Sequence, residues 1–308
     1  MNQPWEAERI VSPELARALV EDQFPDLAPT RVEPLGVGWD NTAYLVNRAY
    51  VFRFPRRPIA VDLITREARV LPVLAPRLPL AIPVPAFVGQ PSERFGWPFS
   101  GYPMLGGRTA CAAALDERAR REAAEPLARF LAALHSIPPG DLDLPGDEIG
   151  RLDLARRLPE ARARLEEIGQ LQLVADPRPL PRILETASEA IPPRTGVLVH
   201  GDVYALHLLV DAESRVTGVI DWGDVHLGDP AVDLAVAHSF LPPSAHPAFL
   251  AHYGPVDEGT WHLARLRALH HCAAVVAYAH HTGSADLLRE GLRALAHLTE
   301  PESAFPRG

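Results

Sequence analysis

The chain has 308 residues, 47% of them hydrophobic, with 30 basic against 39 acidic side chains and a formal charge of −9. That composition belongs to a globular protein and excludes a disordered one. All 30 basic residues are arginine, so no Schiff-base lysine, no Gly-Lys phosphate loop and no Ser-x-x-Lys nucleophile can operate.

The acidic balance argues against duplex nucleic acid as a partner, since binding it needs a basic face to displace counterions. Two cysteines, Cys111 and Cys272, cannot build a framework of bridges, and a reducing, cytoplasmic setting is expected. Met1 to Phe24 is broken by Glu6, Glu8, Arg9, Glu14 and Arg17 and lacks the apolar stretch of a signal peptide. The absence of any run of ~18 apolar residues predicts no membrane span.

The first third reads as strand-rich. Short β-branched or aromatic runs at Arg31–Leu35, Thr42–Val46 and Tyr50–Phe54 are bounded by Gly, Asn, Arg and Pro, the pattern of an antiparallel meander. A helix is expected over Asp62–Leu74 and a strand at Ala86–Val88, with Pro79, Pro83 and Pro85 making the segment between them extended. Past Gly106 and Gly107 the texture turns helical. Leu127, Phe130, Leu131 and Leu134 share one face of a helix predicted over Asp116–His135. Further helices are expected over Leu152–Ile168, Pro181–Ala190, Ala231–Phe240, Glu258–His281 and Ser284–Leu298.

Three apolar runs interrupt this helical region: Val197–Val199, His207–Val210 and Val216–Ile220. They predict small strands with polar residues at their ends. The length and the change of texture imply two lobes, residues 1–105 and 106–308. The first holds 11 arginines and 11 acids, the second 19 and 28. The whole net charge therefore falls on the helical lobe, where it would favour a cationic acceptor or serve only as a solvated surface.

Asp202 and Asp221 end two of these runs, 19 residues apart, with His200 and His207 beside them. Two carboxylates and a histidine at the ends of paired strands can converge. Phosphoryl transfer needs such convergence: one carboxylate to orient the attacking hydroxyl, others to hold magnesium on the phosphates. As isolated turn residues, both aspartates would be ordinary.

Leu198-Val199-His200-Gly201-Asp202, Gly218-Val219-Ile220-Asp221-Trp222 and Gly228-Asp229-Pro230-Ala231-Val232-Asp233-Leu234-Ala235 occur in that order. Together they resemble the aminoglycoside phosphotransferase family, small-molecule kinases with a protein-kinase-like fold. The resemblance runs from about Leu35 to Leu241. It implies an α+β, two-lobed fold: a β-rich N-terminal lobe, a mainly helical C-terminal lobe, and ATP or GTP bound between them with Mg2+. By the same resemblance Asp202 is the catalytic aspartate and Asp221 a magnesium ligand. His207 stands where most of the family has an asparagine ligand, and the macrolide phosphotransferases look similar in carrying histidine there. Arg53, with Glu67 14 residues on, stands where the kinase pattern has a phosphate-gripping lysine and its glutamate partner; a guanidinium can fill that role bidentately but is bulkier.

Gly36, Gly38 and Asn41 lie in a segment like the family's nucleotide-covering hairpin, where glycines let backbone amides approach phosphate. Phe99–Gly107 is similar to the hinge that binds the base. The Tyr102 carbonyl and Met104 N–H are the candidate contacts, because Pro103 has no donor. Asp229 and Asp233 read as structural, with Asp229 as a cap or a buttress of the catalytic loop. His270-His271 and His280-His281 lie ~15 Å apart on one helix, too far to share a metal ion, and read as ordinary helix residues. The acceptor implied is a small molecule, an aminoglycoside first and a macrolide second. A metabolic acceptor such as choline, homoserine or a sugar, or a catalytically silent nucleotide-binding module, are the rival readings.

Overall fold

The computed structural model describes residues 8–140, 142–186 and 193–301, and its contacts divide into two units. The first unit comprises the described residues up to Pro76, Ala81–Gly106 and Trp222–Asp224. It opens with helix α1 (Pro13–Gln23), started by Ser12, whose Oγ accepts from the Leu15 N–H at 3.2 Å, and by proline in the first turn. Strands β1 (Val32–Val37), β2 (Asn41–Val46) and β3 (Tyr50–Pro55) follow, then helix α2 (Pro58–Leu74) and strands β4 (Phe87–Gly89) and β5 (Phe99–Pro103). The five strands form one antiparallel sheet in the order β1-β2-β3-β5-β4.

The period-2 alternation of β3 decides what each face of this sheet does. Phe52 and Phe54 point into an aromatic core with Phe95, Phe99 and Tyr44, covered by Ala16, Leu19 and Val20 of α1. Arg53, between them in sequence, points to the opposite face, toward α2. Asn47 and Arg48 both adopt left-handed conformations, φ 53° and 55°, in the tight turn joining β2 to β3.

The second unit comprises Arg77–Leu80, Gly107–Asp221 and the described residues from Val225 onward. It contains β6 (Arg108–Thr109), α3 (Ala110–Ala113), α4 (Glu117–Glu122), α5 (Ala124–Ser136), α6 (Leu154–Gln170) and α7 (Pro179–Glu185). Strands β7 (Val197–Val199), β8 (Leu208–Val210), β9 (Val216–Val219) and β10 (His226–Gly228) come next, then helices α8 (Ala231–Phe240), α9 (His246–Tyr253), α10 (Glu258–Thr282) and α11 (Ala285–Thr299). Leu165, Ile168, Leu180, Leu269, Val276 and Leu295 knit α6, α7, α10 and α11 into one core. Strand β7 pairs with β10, and β8 lies between β6 and β9.

The α+β organisation is the expected one, with local corrections. The helix predicted over Asp116–His135 is two helices. Pro126 has no N–H for the Glu122 carbonyl and its ring crowds that carbonyl, and the break falls at Ala123. Helix α2 begins four residues earlier than expected, at Pro58, because proline is well placed in a first turn. Helix α7 ends at Glu185, and positions 187–190 of the helix predicted to Ala190 lie outside the described residues. The strand expected from His207 starts at Leu208, and that expected over Ala86–Val88 is Phe87–Gly89. Helices α1 and α9 and strand β10 were not anticipated. Among the described residues no helix is long and apolar enough to cross a membrane.

Candidate active site

In the first unit, the face of β3 turned toward α2 carries a buried polar cluster. Arg53 Nη1 donates to both Glu67 oxygens at 2.9 Å. The Tyr102 hydroxyl donates to Glu67 Oε2 at 2.8 Å. Register explains the meeting: Arg53 pairs with Ser100 across β3 and β5, and Tyr102 lies two residues along β5, on the same face. Burial, followed by the Glu67 charge, pushes the Tyr102 phenol well above its usual 10, so it remains a donor. The Glu67 side chain is only 1% exposed and Arg53 17%. Both charges are thus kept in place by each other, since either alone would be costly to bury. Segment Trp222–Asp224, immediately after Asp221, belongs to this unit, and a Cβ on Gly223 would lie 3.4 Å from Glu67 Oε1.

The glycine hairpin joins β1 to β2. Gly38 N–H donates to the Asn41 carbonyl at 2.9 Å, and Arg56 Nη1 donates to the Gly38 carbonyl. A Cβ on Gly36 would meet nothing within 4 Å, so no contact inside the unit demands glycine there. Asn41 is buried, and its Oδ1 has no hydrogen-bond partner among the described residues. The hinge expectation needs revision at Met104. Its N–H donates to the Ala49 carbonyl at 2.8 Å, extending the β3–β5 pairing by one residue, so it is not free for a base. The Tyr102 side chain, not considered from sequence, has the defined role with Glu67.

The second unit holds the carboxylates. Strand β7 delivers His200-Gly201-Asp202, and Gly201 takes φ 92°, where a side chain would strain the backbone. The turn is clamped by two side chains, Asp233 and Arg151. Buried Asp233 on α8 accepts from His200 N–H at 2.7 Å and from Gly201 N–H at 2.9 Å. Its Oδ2 also lies 3.1 Å from His135 Nε2, whose ring is oriented by the Tyr253 hydroxyl 2.8 Å from Nδ1. Arg151 Nε donates to the Gly201 carbonyl at 3.0 Å while Nη1 binds Asp147. The buttress is therefore Asp233. Asp229 instead receives the Ala231 and Arg194 N–H groups and caps the start of α8.

Two histidines tie Asp202 to Asp221. The Asp202 N–H donates to His200 Nδ1 at 3.2 Å, which leaves the proton on Nε2 to donate to the Ile220 carbonyl at 3.1 Å. That assignment agrees with burial pushing His200 down to about 4, in spite of the Asp233 charge. His207 differs: Nδ1 lies 2.8 Å from the Asp202 carbonyl and Nε2 lies 3.3 Å from Asp221 Oδ2. Burial alone would lower this imidazole, but the Asp221 hydrogen bond and the Asp221 and Asp202 charges outweigh it and hold it at about 9. Asp202 Oδ2 lies 3.5 Å from the Nδ1 atom of the same ring. The two acids thus flank one imidazolium, and Asp221 takes a left-handed φ of 65°, with its side chain 46% exposed. A non-glycine residue held there points to a functional constraint.

His271, set aside from sequence as an ordinary helix residue, lies with Nδ1 3.8 Å from Asp202 Oδ1. The Tyr204 ring is edge-on to both His207 and His271. His135, Arg151, Asp233 and His271 were missed as site residues for one reason. Each acts from a separate element, and only Asp233 lay within a motif that could have flagged it.

A family model described as the phosphotransferase enzyme family matches residues 31–269. Viomycin phosphotransferase from Streptomyces vinaceus is 35% identical over 111 residues, 34% of this chain and 38% of that protein. The chain thus spans under two fifths of the length of that curated relative. Among solved structures, the GDP complex of wild-type aminoglycoside 2′-phosphotransferase-IIIa has a TM-score of 0.67 at 25% identity, over 94% of this chain and 98% of the other. The macrolide 2′-phosphotransferase apoenzyme from Brachybacterium faecium has a TM-score of 0.58 at 25% identity, over 94% and 99%.

Proposed function

The chain belongs to the phosphotransferase enzyme family, and on that premise we propose that it moves the γ-phosphoryl group of ATP or GTP to a hydroxyl of an antibiotic-like small molecule, an aminoglycoside first. The observation that carries this reading is the pair Asp202 and Asp221 on either side of His207, at 3.5 and 3.3 Å. Asp202 sits on a turn where the N–H groups of His200, Gly201 and Asp202 and the carbonyls of Gly201 and Asp202 are engaged, which orients its carboxylate before any substrate arrives.

In the proposed reaction the acceptor oxygen forms a bond to the γ-phosphorus as the bond to the β–γ bridging oxygen breaks. The nucleoside diphosphate leaves, and the acceptor's proton passes to Asp202. A loose transition state asks for orientation more than for a strong base, and a 25% exposed carboxylate suits that role. Arg53, kept extended and charged by Glu67, is assigned to the nucleotide phosphates, with the first unit as the nucleotide-binding lobe and the second as the acceptor and catalytic lobe.

The donor set fits magnesium, which takes one or two protein ligands and completes its shell with phosphate and water. Among the described residues no group of three acidic, cysteine or histidine side chains could enclose an ion by itself. Asp221 is the ligand on offer, and His207 can join only after giving up the proton it shares with Asp221. When bound, the ion neutralises phosphate charge. The acidic second lobe, with 19 arginines against 28 acids, supports a cationic acceptor. Arg53 and His207, the two departures shared with macrolide kinases, support a macrolide as the second candidate.

The test is turnover with ATP and with GTP against aminoglycoside, viomycin-like and macrolide acceptors, repeated for Asp202→Asn. The expected result is phosphorylation of one class and a loss in kcat of about 10²- to 10⁴-fold in the variant, with little change in nucleotide KM. Tight nucleotide binding with no phosphorylated acceptor, unchanged in the variant, would favour the silent module.

A further inference from the structure

Tyr204, Ser239, His271, Cys272, Glu290 and Gly291 line a small cavity of about 20 Å³. Two of these residues carry a buried polar atom with no hydrogen-bond partner among the described residues: His271 Nε2 and Glu290 Oε1. Glu290 is itself only 5% exposed, and its other oxygen binds Arg120 Nη2 at 2.5 Å. Its partner is a buried guanidinium, so Glu290 is a carboxylate and can only accept. Leaving such an acceptor unmatched is destabilising, because it gives up its hydrogen bonds to water and gains none. A water needs roughly 10–15 Å³ and two to four polar partners; the cavity has the volume, and Tyr204, Ser239, His271 and Glu290 around it carry polar groups.

The tautomer of His271 follows from the same inventory. Its Nδ1 faces Asp202 Oδ1 at 3.8 Å. A lone pair there would repel the carboxylate, whereas an N–H would attract it. With the proton on Nδ1, Nε2 becomes an acceptor, and the cavity then presents two acceptors, Nε2 and Glu290 Oε1. One water satisfies both, since it has two protons to give. Tyr204 and Ser239, which also line the cavity, carry hydroxyls that can donate to its oxygen. The Tyr204 ring, edge-on to His271 with centroids 4.8 Å apart, holds the imidazole upright.

We propose that His271 is a positioning residue for Asp202, kept in its Nδ1–H form by a water bound between Nε2 and Glu290. This rests on Asp202 as the group that receives the acceptor's proton. The His271 N–H draws Oδ1 to one side, and 3.8 Å shortens to a hydrogen bond when the carboxylate turns to meet a hydroxyl, as catalytic contacts do on substrate binding.

Imidazole ¹⁵N NMR of the wild-type protein, with His271 assigned by the signal lost in His271→Asn, reads the tautomer directly. Nδ1–H supports the proposal, while Nε2–H or an imidazolium at neutral pH overturns it, whether or not the protein is a kinase. In turnover, His271→Phe keeps ring volume but removes the donor, and kcat is expected to fall about 10- to 100-fold with nucleotide KM unchanged. His271→Asn keeps a donor near Nδ1 and should restore kcat to within a few fold of wild type. In an Asp202→Asn background the phenylalanine change should cost nothing further. Wild-type kcat in His271→Phe, or an equal loss in both backgrounds, overturns the proposal. A wild-type protein that phosphorylates no acceptor counts against the kinase reading, and the NMR result still decides the tautomer.

Discussion

Three donors converge on the Asp233 carboxylate: the N–H groups of His200 and Gly201 and the His135 ring. Burial alone would raise this carboxyl, but the hydrogen bonds and positive charge around it keep it below the usual carboxylate range. Its removal would strand buried backbone amides where no water can reach them. Asp233→Ala is expected to lower stability by about 3–5 kcal/mol, read by thermal unfolding. Asp233→Asn, which retains one acceptor oxygen, should lose less. At this scale the catalytic candidates Asp202 and Asp221 were legible from the sequence because their motifs are contiguous. The residue that holds the Asp202 turn, Asp233, is legible in the sequence only as a structural member of its motif.

Single strands carry the next level of organisation. Strand β3 places Phe52 and Phe54 in a core and Arg53 in a polar cluster because its side chains alternate, a consequence visible in the run Tyr50-Val51-Phe52-Arg53-Phe54 itself. The β6–β8 pairing depends on a residue whose importance no pattern announces. Gly107 has φ 106°, and a Cβ there would fall 2.5 Å from the Val210 carbonyl oxygen. Gly107→Ala should therefore cost about 1–3 kcal/mol and shift the urea midpoint down, whereas Gly36→Ala, with open space around it, should leave stability unchanged. Element boundaries moved where proline intervened, at Pro58 and Pro126. Helix α9 carries small apolar residues, Pro247, Ala248 and Ala251, on its exposed side and a histidine, His246, on its buried side, so its sequence offered no period to detect.

Across the whole molecule, burial leaves several histidines neutral. His200, His246 and His270 are each pushed down to about 4, burial being the main cause in all three. In the unfolded chain they protonate near 6.5, so between pH 6.5 and about 4 the unfolded state binds the extra protons. Stability is then lost as pH falls through that window, by about 1.4 kcal/mol per pH unit for each group. His207, held at about 9, has the opposite sign: its contribution is complete below 6.5 and declines as pH rises through 9. Without metal or nucleotide, unfolding temperature should therefore peak near pH 6.5, decline gently toward pH 9 as His207 loses its contribution, and drop steeply toward pH 5. A flat profile from pH 7 to 5 would contradict the buried neutral histidines.

The sequence by itself determined the change from strand-rich to helical texture, the family, and the two candidate carboxylates, because each of these is written in short contiguous runs or in a period of 2 or 3.6 residues. Only the tertiary structure decided that Met104 spends its N–H on the sheet, that Asp233 rather than Asp229 grips the turn leading to Asp202, and that His271 comes to Asp202. Hydrogen bonds spanning 32 to 98 residues in sequence leave no periodic trace in a chain. Which distant side chain satisfies a buried donor is settled by packing, after the local pattern has done its part.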